Sequence, residues 1–126
     1  MQSNRARALV SWSGGKDSCL AALLARDAGL ELERLVCTSE PEADRSRSHA
    51  LPAWVLEAQA AALGVALVQP RAGWADYEAV FVHALRAARA DGIRHAVFGD
   101  IDLLPHCEWE EKVGAAAGVR AHLPLW

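Results

Sequence analysis

Cysteine is scarce here and badly spaced for a structural role. Cys19, Cys37 and Cys107 are the three in a chain of 126 residues. They are odd in number and far apart, with no Cys-x-x-Cys pair. That argues against a disulfide framework or a zinc site and for a reducing cytoplasm. Positive charge is not in excess either: 13 Lys and Arg stand against 16 Asp and Glu, a net −3. Nucleic-acid binders usually carry a basic surface, so the composition gives no reason to expect one. No apolar run approaches a membrane span, and the opening MQSNRARALV lacks a signal peptide's apolar core. Repeats, low-complexity tracts and linkers are missing too. What is left is one domain, residues 1–126, long enough to bury a core.

Short apolar runs alternate with helical patterns. Arg7 to Ser11 reads as a buried strand. From about Asp17 to Ala28, Leu20, Leu23, Leu24 and Ala28 recur at helical spacing, and Gly29 stops the helix. Leu32 to Thr38 reads as a second strand, followed by a polar surface loop over residues 39–49. Pro52 suits a helix's first turn, and the helix AWVLEAQAAAL closes at Gly64. Val65 to Val68 is a third strand. Tyr77, Val80, Phe81, Ala84, Leu85 and Ala88 give the clearest amphipathic helix, with Tyr77 and Phe81 expected in the core. His95 to Phe98 is a fourth strand, Glu108 to Ala117 a helix, and Val119 to Leu123 a last strand. Strands alternating with helices mean a parallel sheet covered on both faces, an α/β fold.

In such sheets ligands bind beyond the carboxyl ends of the strands, near the point where strand order reverses. The segment leaving the first strand there is Ser-Gly-Gly-Lys-Asp-Ser, residues 13–18. Glycines let backbone N–H groups approach an anion, a helix N-terminus adds partial positive charge, and Lys16 supplies a full one. Ser13 and Ser18 add hydroxyl donors. Asp17 repels bare phosphate, so it either caps the helix or meets Mg²⁺. The plainer alternative for Ser-Gly-Gly alone is a glycine turn with a helix cap. A Walker A loop is excluded, because its first glycine would fall at Val10 and Asp17 separates Lys16 from Ser18; GxGxxG is absent.

Strand, SGGKDS and helix together resemble the PP-loop of the N-type ATP pyrophosphatases. Further stretches are similar to the diphthine–ammonia ligase family: His49 to Leu67, Trp74 to Leu85, Val97 to Val119 and the final Pro-Leu-Trp. Three departures accompany the resemblance. His106 is followed by Cys107 where relatives carry arginine, the usual aromatic before His49 is Ser48, and relatives continue past Pro-Leu-Trp. The resemblance implies a five-stranded parallel three-layer sandwich, adenine nucleotide α-hydrolase-like. It also implies ATP-dependent ligation, with adenylation of a carboxyl or amide oxygen, release of pyrophosphate and attack by ammonia.

Ser11, Ser13, Gly14, Gly15, Lys16, Asp17 and Ser18 are then expected to hold the phosphates, with Gly14→Val abolishing nucleotide binding while leaving the fold intact. Lys16 and Asp100 carry catalysis, and Asp17 and Asp100 meet Mg²⁺. The acceptor side draws on His49, Gly99, Asp100, Asp102, His106, Trp109 and Glu110. Bland readings stand beside these: Asp100 as a turn residue, Asp102 as merely solvated, the histidines as structural, Trp109 as core, and Glu110 as a complement to the helix dipole. Cys19 is expected buried, and Cys107 is the one thiol worth testing for reactivity. Expected partners are ATP, Mg²⁺, ammonium and an unnamed acceptor, without membrane or nucleic acid. Apolar Leu123, Leu125 and Trp126 favour self-association. The rival functions are a non-catalytic nucleotide-binding module, a PP-loop tRNA-modifying enzyme, and a fragment lacking its catalytic partner segment.

Overall fold

A computed structural model describes residues 6–126. Five strands form one all-parallel sheet: β1 (Arg7–Ser11), β2 (Glu31–Val36), β3 (Ala66–Val68), β4 (His95–Val97) and β5 (Arg120–His122). Their order is β3-β2-β1-β4-β5, so the chain winds outward from β1 on one side and then on the other. The reversal lies between β1 and β4. Helices α1 (Lys16–Asp27), α2 (Ala53–Leu63), α3 (Tyr77–Ala90) and α4 (Leu104–Ala117) alternate with the strands. One core packs α1 and α2 on the sheet through Ala21, Ala22, Ala25, Leu56 and Ala60. The other packs α3 and α4 through Phe81, Leu85, Val113 and Ala117. The result is a three-layer α/β sandwich, as expected. No helix among the described residues is long and apolar enough to cross a membrane.

Helix α1 departs from the expectation in its phase. Leu20, Leu23 and Leu24 are 48%, 45% and 42% exposed, while Ser18, Ala21, Ala22 and Ala25 are buried. The cause is the preceding turn. Ser18 faces inward and bonds Ser13, and positions 18, 21, 22 and 25 then share one face. That face packs too closely for leucine: a Cβ on Gly99, beyond β4, would lie 2.8 Å from the Ser18 backbone nitrogen.

Helix α4 starts four residues earlier than its sequence pattern suggests. Pro105 sits in its first turn, where a missing N–H costs nothing. The loop after β2 is also firmer than its polarity implies. Ser39 and Ser46 are 3% and 1% exposed, and Ser39 bridges both Ser46 and Arg71. At the chain's end Leu123 and Leu125 are half-buried against the two cores, and Trp126 is 51% exposed.

Candidate nucleotide site

β1 delivers Ser11 to the sheet's upper rim, and residues 12–15 turn the chain into α1. The turn is held by its own serines. Ser13 Oγ lies 3.0 Å from Ser18 Oγ and accepts the Gly15 N–H at 3.1 Å, while Ser18 Oγ donates to the Gly15 carbonyl at 3.3 Å. Gln59 braces it from α2, donating to the Gly14 carbonyl at 3.2 Å and accepting the Trp12 indole N–H at 2.8 Å. Gly14 takes φ +83°, a conformation that side chains disfavour, and a Cβ there would come within 2.4 Å of Leu51 Cδ1. Gly14→Val therefore strains the fold itself and does not report on binding alone.

Gly15 is the N-cap of α1 and no side chain caps the helix. Asp17, inside the first turn, is not the cap. The first-turn N–H groups thus face the rim without a side-chain acceptor, the arrangement that suits an anion.

Across the reversal point, Gly99 and Asp100 leave β4. They meet the loop around a cleft of about 330 Å³, lined on one side by Ser11, Ser13, Asp17 and Ser18 and on the other by Gly99, Asp100, His106 and Glu110. This cleft brings together residues distant in sequence. Others stay apart. Gly14, Gly15 and Lys16 border a different depression beside Gln59 and Leu63. The Lys16 ammonium pairs with Asp17 at 2.9 Å with its side chain 88% exposed. Asp102 is exposed and borders neither the main cleft nor its neighbour. His49 stands against the loop, since a Cβ on Gly15 would lie 2.7 Å from its Nε2.

The far wall is acidic and partly desolvated. Glu110 lies in the second turn of α4, not at its start, and is 6% exposed. Burial first, then a hydrogen bond to Asp100, pushes its carboxyl up to about 9. It is a buried acid, not a complement to the helix dipole. Asp100 Oδ1 lies 3.3 Å from His106 Nδ1. His106 and Glu110 are four residues apart on α4 and so share one face. That spacing was available in the sequence once Pro105 is read as first-turn proline.

A second cleft of about 440 Å³ adjoins the first, sharing Tyr77, His106 and Glu110 and adding Trp74, Glu78 and Trp109. Tyr77 is therefore a cleft residue, half-buried, and burial pushes its hydroxyl up from its ordinary value. Trp109 is half-buried, packs 5.4 Å from Phe81 and donates its indole N–H to Glu78 at 2.8 Å. Tyr77, Trp74 and Glu78 are the residues that periodicity alone does not assign to a site. Of the thiols, Cys37 is buried and pushed up to about 11, Cys19 is half-buried, and burial and Glu111 raise Cys107.

Asp17 offers hard oxygen to the same cleft as the open helix turn, which fits Mg²⁺ bound jointly with phosphate oxygens. Among the described residues no three His, Cys, Asp or Glu side chains gather to hold a metal unaided.

The profile of the diphthamide synthase N-terminal domain family matches residues 6–121. No curated protein matches the sequence. Among solved structures, PH1313 from Pyrococcus horikoshii Ot3 is similar in fold, with a TM-score of 0.57 and 16% identity. The match covers 94% of this chain and 36% of PH1313, so the chain spans about a third of that protein's length. A match over nearly the whole chain settles the family: the chain belongs to the diphthamide synthase N-terminal domain family, a PP-loop family, which supports nucleotide binding.

Proposed function

We propose that the chain is the ATP-binding part of an ATP-dependent amide ligase. The observation that carries this reading is the uncapped first turn of α1, opening with three serines onto a cleft at the reversal point. The triphosphate's terminal phosphates lie over that turn, with Ser11, Ser13 and Ser18 as hydroxyl donors and Gly14 and Gly15 giving the backbone its close approach. Lys16 leaves Asp17 and swings onto the phosphates; an exposed one-residue pair is weak enough to exchange. Asp17 takes Mg²⁺, because Asp100 is committed to His106 and Glu110. When bound, Mg²⁺ would neutralise charge on the phosphates.

The acceptor enters from the aromatic cleft, beside Trp109, His106 and Glu110. Its carboxyl or amide oxygen attacks the α-phosphorus, pyrophosphate leaves toward the α1 turn, and ammonia then displaces AMP. Positioning and electrostatics supply the rate, Lys16 stabilising charge on the leaving pyrophosphate and Asp100 orienting the reacting groups. His49, beside Gly15, closes the cleft from the loop after β2. The setting is the cytoplasm, and self-association would use Trp126. Incubation with ATP, Mg²⁺, ammonium and a panel of carboxylates tests the reading. AMP and pyrophosphate in equal amounts support it; ATP bound and recovered unchanged would assign the chain to nucleotide sensing.

A further inference from the structure

Helix α1 carries its leucines outward. Leu20, Leu23 and Leu24 are exposed, while the small Ala21, Ala22 and Ala25 are buried. Large apolar side chains gathered on one exposed helix face differ from the scattered single ones of an ordinary surface. Exposed Lys16 and Asp27 complete the stripe. Positions 16, 20, 23 and 27 are four, three and four residues apart, so they line one face. Asp27 pairs with no cation among the described residues, and Lys16 pairs only with its sequence neighbour Asp17.

The order along the helix is self-complementary. Lys16 and Asp27 stand equally far from its midpoint, between Ala21 and Ala22. So do Leu20 and Leu23, and so do Cys19 and Leu24. Turned end for end, the stripe lays cation on anion and leucine on leucine. A twofold axis does this to two copies of one surface, because each residue there meets the one that meets it. The flanks agree. Beside Cys19 the surface dips into a depression of about 340 Å³ that reaches Gln59 and Leu63, and the twofold sets the partner's Leu24 against it. Leu24 itself borders a depression of about 390 Å³ with Ala28, Leu30, Leu123 and Pro124. That continues the apolar surface to the segment ending at Trp126.

We propose that α1 is a docking surface for a second copy of this chain. The two helices pack antiparallel across a twofold axis, with Lys16 of each opposite the partner's Asp27. The leucines supply the attraction and the ion pairs fix the direction, since a parallel arrangement would set Lys16 on Lys16 and Asp27 on Asp27. Lys16 is shared with the phosphate reading, so the oligomeric state is read without nucleotide, and its outcome is separate from that of the ATP assay.

Sedimentation velocity on the whole chain, from micromolar to millimolar, should show a monomer–dimer equilibrium that stops at two. Leu20→Glu and Leu23→Glu put carboxylates at the centre of the contact and should each weaken dimerisation about tenfold or more. Both positions lie on the exposed face, and circular dichroism establishes that the variants are folded. Asp27→Lys should weaken dimerisation too, and adding Lys16→Glu to it, which restores opposite charges end to end, should recover it. A parallel register predicts no such loss, because Asp27 would already face its own copy. The proposal is overturned by a parent chain that stays monomeric at millimolar concentration, which would leave the stripe to a different partner. Open-ended association past two overturns it as well, as do folded leucine variants that dimerise like the parent or a charge-swapped double variant no better than Asp27→Lys.

Discussion

The two walls of the cleft are built in opposite ways. The β1–α1 wall is six consecutive residues whose serines bond one another across at most five positions. The β4–α4 wall is assembled from a strand end and a helix turn ten residues apart, Asp100 and Glu110, and depends on how α4 is phased. One wall presents donors and an open helix terminus, the other presents carboxyls. A local motif specifies its own geometry, whereas the acidic wall exists only if the helix register is right. Substitutions should therefore act on the two walls through different properties, one through anion affinity and the other through pH dependence.

The sharpest break is at the seam between them. Gly99→Ala puts a Cβ within 2.8–2.9 Å of the Asp17–Ser18 backbone. Neither neighbour is a flexible side-chain tip, so the walls must separate. A loss of about 1–3 kcal/mol in chemical denaturation is expected, together with weakened ATP binding. Stability like the parent's would mean that the Gly99–Ser18 contact does not hold the two walls together.

Lys16→Ala separates phosphate recognition from base recognition. Removing a charge-assisted contact worth roughly 1.5–3 kcal/mol should weaken ATP and pyrophosphate about tenfold or more. Calorimetry should find AMP and adenosine nearly unchanged. Equal weakening of adenosine would move Lys16 away from the phosphates.

Glu110→Gln tests the acidic wall through pH. The folded carboxyl titrates near 9 and its ordinary value is 4.5, so the folded state holds this proton more tightly. Its contribution is fully present below about pH 4.5 and is lost as pH rises toward 9. The variant has no proton to lose. Its melting temperature relative to the parent should climb between pH 6 and pH 9, by the equivalent of about 3–4 kcal/mol. A flat difference would place Glu110 in a wetter environment.

The smallest effect belongs outside both walls. Lys112 pairs with Glu78 at 3.3 Å on the rim of the aromatic cleft, with both side chains well exposed. Lys112→Ala should leave the melting temperature unchanged, as exposed pairs contribute little.

Legibility in the sequence follows the same division. SGGKDS is contiguous, so its chemistry can be read from residue types alone, and β1 and α3 declare themselves by an apolar run and a wide apolar stripe. Helix α1 misleads because its leucines recur at helical spacing on the exposed side. Its phase is set by Ser18 in the turn and by the close approach of Gly99, a tertiary constraint. Helix α4 hides its start in Leu103-Leu104-Pro105, which looks like loop, and with the start goes the pairing of His106 with Glu110. Tyr77 is similar: periodicity assigns it to the core, while its position at the head of α3 brings it to the rim.

The central claim is that ATP is held by its triphosphate at the β1–α1 turn. It is tested most directly by calorimetric titration of the parent chain with ATP, pyrophosphate and adenosine, each in the presence of Mg²⁺. The account predicts one site per chain at which pyrophosphate competes with ATP, and adenosine binding at least about tenfold weaker than ATP. Adenosine binding as tightly as ATP, with pyrophosphate failing to compete, would contradict it.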